Sequence, residues 1–111
     1  MSTHTALVNR ILLRFSALPG VTMWKISTGV ARSLYGQDRK IRFGISGGCD
    51  IIGILAPDGR MFGIEVKTGV GRLQKNQRTF RDVIVEHGGL HCEARSEDDV
   101  ARFLEATNGR F

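Results

Sequence analysis

Apolar residues recur near the start of the chain at spacings of three and four, through Leu7, Ile11, Leu12 with Phe15, and Leu18. That period predicts an amphipathic helix over residues 4 to 18, stopped by Pro19-Gly20. Residues 21 to 27 read as a strand. From 28 to 48 the pattern gives way to Gly, Ser and basic residues (Arg32, Arg39, Lys40, Arg42), which predicts a long loop with one short extended piece at 41 to 43. A basic loop of this length in a small domain is more often functional than ornamental.

Two short apolar or β-branched runs follow, 50 to 56 and 61 to 67, joined by Pro57-Asp58-Gly59-Arg60. Pro and Gly stand where a turn requires them, so the pair predicts a hairpin. Residues 73 to 87 carry Leu73, Phe80 and Ile84 on one helical stripe that ends at Gly88-Gly89. Residues 90 to 95 predict a strand. Ser96 with Asp99 three residues on opens a last helix, 97 to about 106, with Val100, Phe103 and Leu104 as its buried face. The order is helix, about three strands, helix, strand, helix: one α/β domain, 1–111, with helices around a central sheet.

In a strand alternate side chains share a face. Glu65 and Lys67 therefore project with Gly63, while Phe62, Ile64 and Val66 point to the other side and into a core. Folding the hairpin about 57 to 60 pairs position 50 with 67 and 52 with 65, which places Asp50 beside Lys67 on the face of Glu65; a one-residue bulge would flip that register. Two carboxylates and an ammonium brought together this way are costly unless a cation shares the carboxylates. Hard oxygen ligands suit Mg²⁺ or Mn²⁺. Such an ion activates water and stabilises charge on a phosphoryl oxygen, with Lys67 orienting the water or neutralising the transition state. That chemistry is phosphodiester hydrolysis. E-x-K on an exposed strand is also a commonplace solvated ion pair, and Asp50 alone also reads as a turn residue after Gly47-Gly48. Their joint occurrence on one hairpin favours the site. Gln77 falls on the packing stripe of its helix and needs a partner: either backbone at the core edge, or Lys67 and the water.

Charge sharpens this picture. The 111-residue chain has net charge +5 and a pI near 9.9, which suits a polyanionic partner. Residues 1 to 48 hold seven Lys/Arg and one acid, residues 49 to 111 nine Lys/Arg and ten acids. The positive field belongs to the first half, and the acids of the second are left for other work. Arg72, Lys75, Arg78 and Arg81 are either a solvated helix face or phosphate contacts beside the site. Cys49 and Cys92 form no metal or disulfide pattern and read as free thiols. No apolar run reaches the roughly 20 residues of a membrane helix, and Arg10 and Arg14 interrupt any signal peptide, so a soluble intracellular protein is expected. His4, His87 and His91 read as surface or cap residues, Trp24 as core. Residues 44 to 48 lack the Lys-Ser/Thr end of a nucleotide-binding loop, so no nucleotide cofactor is expected.

Gly47-Gly48-Cys49-Asp50, Ile64-Glu65-Val66-Lys67, Gly69-Val70-Gly71-Arg72-Leu73 and Gln77 together resemble the VRR-NUC branch of the PD-(D/E)XK nucleases, most of all its stand-alone, single-domain phage and prophage members. The likeness runs from about 24 to 96. It implies a restriction-endonuclease-like core with a central mixed sheet flanked by helices. Asp50 and Glu65 become ligands of Mg²⁺ or Mn²⁺ with the Val66 carbonyl as a third, Lys67 the catalytic lysine, and Gln77 the helix glutamine of the site. It also implies a homodimer, similar to Holliday-junction resolvases, that cuts branched DNA in the cytoplasm of a bacterial host. By their charge and position, Arg32, Lys40, Arg42, Arg72, Lys75 and Arg78 are the candidates to hold the nucleic acid. Two departures stand out. Cys49 replaces the usual Pro or small residue before the aspartate, and no acid precedes Asp38 where the family carries a first-helix glutamate, leaving Asn9 or a second chain to substitute. The rival reading is a DNA-binding or interaction module that keeps the fold without catalysis.

Overall fold

A computed structural model describes residues 2–26, 29–32, 40–43 and 48–108, the two middle stretches by backbone alone. Its elements are α1 (Thr3–Phe15), β1 (Val21–Lys25), β2 (Gly29–Arg32), β3 (Lys40–Phe43), β4 (Ile51–Leu55), β5 (Arg60–Val66), α2 (Lys75–Glu86), β6 (Leu90–Ala94) and α3 (Glu97–Asn108). Helix α1 starts where the Ser2 hydroxyl accepts the Thr5 N–H at 3.1 Å, satisfying one of the donors a helix start leaves open. It ends three residues before the expected 18. There the chain tightens ahead of Pro19, the Leu18 N–H returning to the Phe15 carbonyl at 3.2 Å. Leu18 still packs on the core, from outside the helix.

The expected central sheet is present. Four strands run in the order β1-β4-β5-β6, antiparallel except for β5 with β6. Val21, Met23, Ile51, Leu55, Phe62, Ile64, Val66, Cys92 and Ala94 line one face. They meet Leu7, Val8, Ile11 and Phe15 of α1 and Val100 and Leu104 of α3. Each such side chain contributes about 1.5–3 kcal/mol when taken fully from water, and the rings of Phe62 and Phe103 meet at 5.8 Å. Phe62 lies across Gly53, whose missing Cβ would stand 2.2 Å from its Cζ. Arg10 and Arg14 of α1 reach Glu97 of α3 at 3.4 and 3.7 Å.

The opposite face is not simply charged, as the alternation of Glu65 and Lys67 suggested. Helix α2 packs on β5 and β6 there, with Cys49 and Ile84 buried and against the site where a Gly63 Cβ would fall. Trp24, expected in the core, is 43% exposed on β1.

Two other expectations need correction. The stretch expected to be mainly loop contains an antiparallel ribbon, β2 with β3, that forms a sheet of its own. Its first strand is only four residues long and carries no apolar alternation strong enough to announce it. The β4–β5 hairpin closes one residue earlier than expected. Gly59 adopts φ 73° and its N–H returns to the Leu55 carbonyl at 2.9 Å, so Leu55 faces Arg60 and Ile51 faces Ile64. Continued one step, this register sets Asp50 opposite Glu65 rather than Lys67. The shift is two positions in pairing, so every residue keeps its predicted face. Residues 27, 28, 33 to 39 and 44 to 47, including Ser27, Asp38, Arg39 and Gly47, lie outside the described residues. Among the described residues no helix is long and apolar enough to cross a membrane.

Candidate active site

Asp50 immediately precedes β4, and its Oδ2 accepts the backbone N–H of Val66 at 2.8 Å. That bond anchors the aspartate to the strand carrying the other two site residues. The N–H and C=O of one strand residue leave on the same side, so the Val66 carbonyl opens toward Asp50 as well. Glu65, 4% exposed, is the buried charged residue of the domain among the described residues. Its Oε1 accepts from Gln77 Nε2 at 2.9 Å and lies 3.8 Å from Lys67 Nζ. Lys67 follows β5 directly and gives its own N–H to the Ala94 carbonyl at 2.9 Å.

The electrostatics follow from this crowding. Burial pushes Glu65 up from 4.5 to about 7, and the neighbouring Asp50 charge adds to the rise while Lys67 opposes it. The thiol of Cys49, wedged behind the pair, is driven to about 12 by burial first and then by Glu65 and Asp50. Cys92 is likewise buried and raised to about 12. Both cysteines are free and remain protonated thiols at neutral pH, which makes them poor nucleophiles.

The backbone alternative for Gln77 is the one observed, and a side-chain partner that was not expected is added to it. Its Oε1 accepts the Gln74 backbone N–H at 2.8 Å at the start of α2, while its Nε2 serves Glu65. The partner is the glutamate and not Lys67. Arg78, expected on phosphates, gives Nη1 to the Leu73 carbonyl at 2.6 Å. Arg72 and Lys75 are exposed at the entry to α2. Arg32, Lys40 and Arg42 occupy the β2–β3 ribbon.

Two participants escaped the sequence reading. His4 is no bystander: its Nε2 lies 3.2 Å from Asp50 Oδ2, and an ionised carboxylate only accepts, which makes Nε2 the donor. The signal was present, because His4, Val8, Ile11 and Phe15 continue one stripe of α1 at spacings of four and three. Arg95 is the other. It donates to the Gly69 carbonyl at 3.1 Å and to that of Gly71, and so fixes the Gly-rich turn after Lys67. It also takes the carboxylate of Glu93 at 2.9 Å, the β6 residue in register with Glu65. No short-range pattern announces a contact spanning this much chain.

Among the described residues no three carboxylate, imidazole or thiol side chains gather as a metal-binding group. The donor set is smaller: two carboxylates and a backbone carbonyl, all hard oxygen donors. It fits an ion that completes its shell with water and substrate phosphate. A raised Glu65 beside Asp50 is the arrangement such an ion relieves. Compared with known proteins, the chain matches no family model, and no curated protein matches it.

Proposed function

We propose that the chain is a metal-dependent DNA endonuclease of the VRR-NUC, PD-(D/E)XK kind that hydrolyses phosphodiester bonds in branched DNA as a homodimer. The observation that carries this reading is the pairing of Asp50 with the buried Glu65, with the Lys67 ammonium 3.8 Å from the glutamate. Asp50, Glu65 and the Val66 carbonyl would hold Mg²⁺ or Mn²⁺. Bound there, the ion supplies an acidified water and Lewis acidity toward a phosphoryl oxygen.

The chain's own residues do the rest. Val66 N–H and His4 hold Asp50 Oδ2 in place, and Gln77 fixes the rotamer of Glu65. Lys67, its side chain 16% exposed, keeps a desolvated ammonium at the rim of the pair. There it neutralises charge developing on phosphorus-bound oxygens as the water oxygen bonds to phosphorus and the bridging P–O bond breaks. Its N–H on Ala94 and the Arg95 clamp on the following turn fix where that ammonium starts.

The second reading is a DNA-binding module without catalysis, which the net +5 charge favours equally. Labelled linear duplex, flap and four-way-junction DNA incubated with Mg²⁺ or Mn²⁺ separate the two. Cleavage by the wild type and its loss in Lys67→Ala support the nuclease. Tight binding with no cleavage under either metal replaces it with the module.

A further inference from the structure

We infer that the β2–β3 ribbon is a duplex-gripping arm whose cationic face lies on the phosphates of B-form DNA. The inference rests on the proposal that this chain acts on DNA and names the form of DNA and the surface that holds it. It starts from register. Val30 faces Arg42, Ala31 faces Ile41 and Arg32 faces Lys40. Opposed residues and alternate residues share a face. Arg32, Lys40 and Arg42 therefore all belong to one face of the ribbon, and Ala31, Ile41 and Phe43 to the other. One slip of a single residue between the strands would scatter the cations over both faces.

Placement gives the face its use. The ribbon is inserted between β1 and β4, leaving the domain at Ile26 and returning at Gly48, and the Ile26 N–H donates to the Asp50 carbonyl at 2.9 Å. The described chain on either side of the insertion thus meets at the residue that begins the candidate active site. Between positions 26 and 49 the sequence carries four Lys/Arg and one acid, so a large part of the net +5 charge sits on this insertion, whereas Asp50 and Glu65 make the candidate site acidic. A polyanion repelled by the carboxylates is attracted by the ribbon. Two strands of four residues span about 13 Å, and a two-stranded ribbon is one of the few elements that enters the major groove of B-form DNA, about 12 Å wide. The deep, narrow major groove of an RNA duplex does not admit it.

The test is binding in EDTA, which removes any dependence on hydrolysis. Fluorescence anisotropy against a labelled 20-base-pair DNA duplex, the matching single strand and the matching RNA duplex is followed across a salt series. The proteins are the wild type, the triple variant R32Q/K40Q/R42Q and the charge-matched control R10Q/R14Q/R102Q on α1 and α3, with circular dichroism confirming that each is folded. The ribbon variant is expected to lower the slope of log K against log salt on duplex DNA by about 2.7, three phosphate contacts at about 0.9 each, while the control retains the wild-type slope. Equal slopes in the two variants overturn the inference, as does binding of single strand or RNA duplex as tight as that of duplex DNA. Loss of slope in a protein that cleaves nothing supports the ribbon and removes the nuclease. Cleavage with slopes unchanged removes the ribbon and leaves the nuclease.

Discussion

Gln77 Nε2 sits 2.9 Å from Glu65 Oε1 while Gln77 Oε1 takes the Gln74 N–H at 2.8 Å, so one amide both starts α2 and aims a buried carboxylate. Gln77→Ala removes both bonds. It is expected to cost about 1–2 kcal/mol in urea unfolding and to lower divalent-metal affinity or cleavage about 10- to 100-fold. Gln77→Glu keeps the acceptor for Gln74 but sets a second acid against Glu65; the expected result is milder destabilisation than in Gln77→Ala at pH 5 and a steeper loss of stability toward pH 8. Equal pH slopes for both variants would remove the link to Glu65.

The raised carboxyl of Glu65 gives the domain a pH dependence with a definite sign. A group whose folded value lies above its unfolded value stabilises fully below the unfolded one and loses that contribution as pH rises through the folded one. From 4.5 to about 7, at about 1.4 kcal/mol per unit, the loss amounts to roughly 3–4 kcal/mol. Metal-free wild type is therefore expected to lose stability relative to Glu65→Gln between pH 4.5 and 7, and saturating Mn²⁺ to abolish the difference. Calorimetric titration at pH 6 in buffers of differing ionisation enthalpy is expected to show about one proton released per ion bound. A buffer-independent heat contradicts it.

His4 carries no acid into the site, yet its Nε2 lies 3.2 Å from Asp50 Oδ2. His4→Ala is expected to weaken Mn²⁺ binding about tenfold, with a change in thermal stability of less than about 1 kcal/mol because the side chain is 42% exposed. His4→Asn, which retains a donor, recovers part of the affinity. Identical Mn²⁺ isotherms for wild type and His4→Ala would falsify the role.

Gly63 and Cys49 are fitted to one another. A Cβ at Gly63 would stand 2.5 Å from Cys49 Sγ and 3.3 Å from its Cβ, so Gly63→Ala forces the wedge behind Glu65 to move. The expected cost is about 1–3 kcal/mol. Cys49→Ala removes the sulfur that causes the closest clash, and the double variant is expected to recover at least half of that cost, a coupling that chemical denaturation of the four proteins in a double-mutant cycle measures directly. Additive costs would mean that Ile84, 3.4 Å from the same point, is the true obstacle.

Much of this was legible in the chain. The core residues Phe62, Ile64 and Val66 and the faces of Glu65 and Lys67 follow from strand alternation, which survives an error of two in register. The partner of Asp50 did not, because it depended on which residue of the turn takes φ 73°, and Gly59 closed the hairpin on Leu55 and Arg60. Helix starts were visible at Ser96, whose hydroxyl accepts the Asp99 N–H at 3.2 Å. Arg95 reaching Gly69 and Glu93 registering with Glu65 are products of the parallel β5–β6 pairing, and nothing local in the sequence reports a parallel neighbour. β2 was missed for the opposite reason: its ladder is local but too short to leave a period.

Strand β5 is paired on both sides, antiparallel to β4 and parallel to β6, and Ile64 and Val66, which flank Glu65, are wholly buried. Its ladder amides have no route to solvent short of opening the sheet, so in hydrogen exchange the Glu65 amide belongs with the slowest in the molecule, at the free energy of global unfolding. The first turn of α1, which brings His4, has side chains that are exposed or only half-buried and opens at far lower cost. The candidate site is thus assembled from the most and the least persistent parts of one fold, and gentle warming would detach the imidazole long before it disturbed the carboxylates.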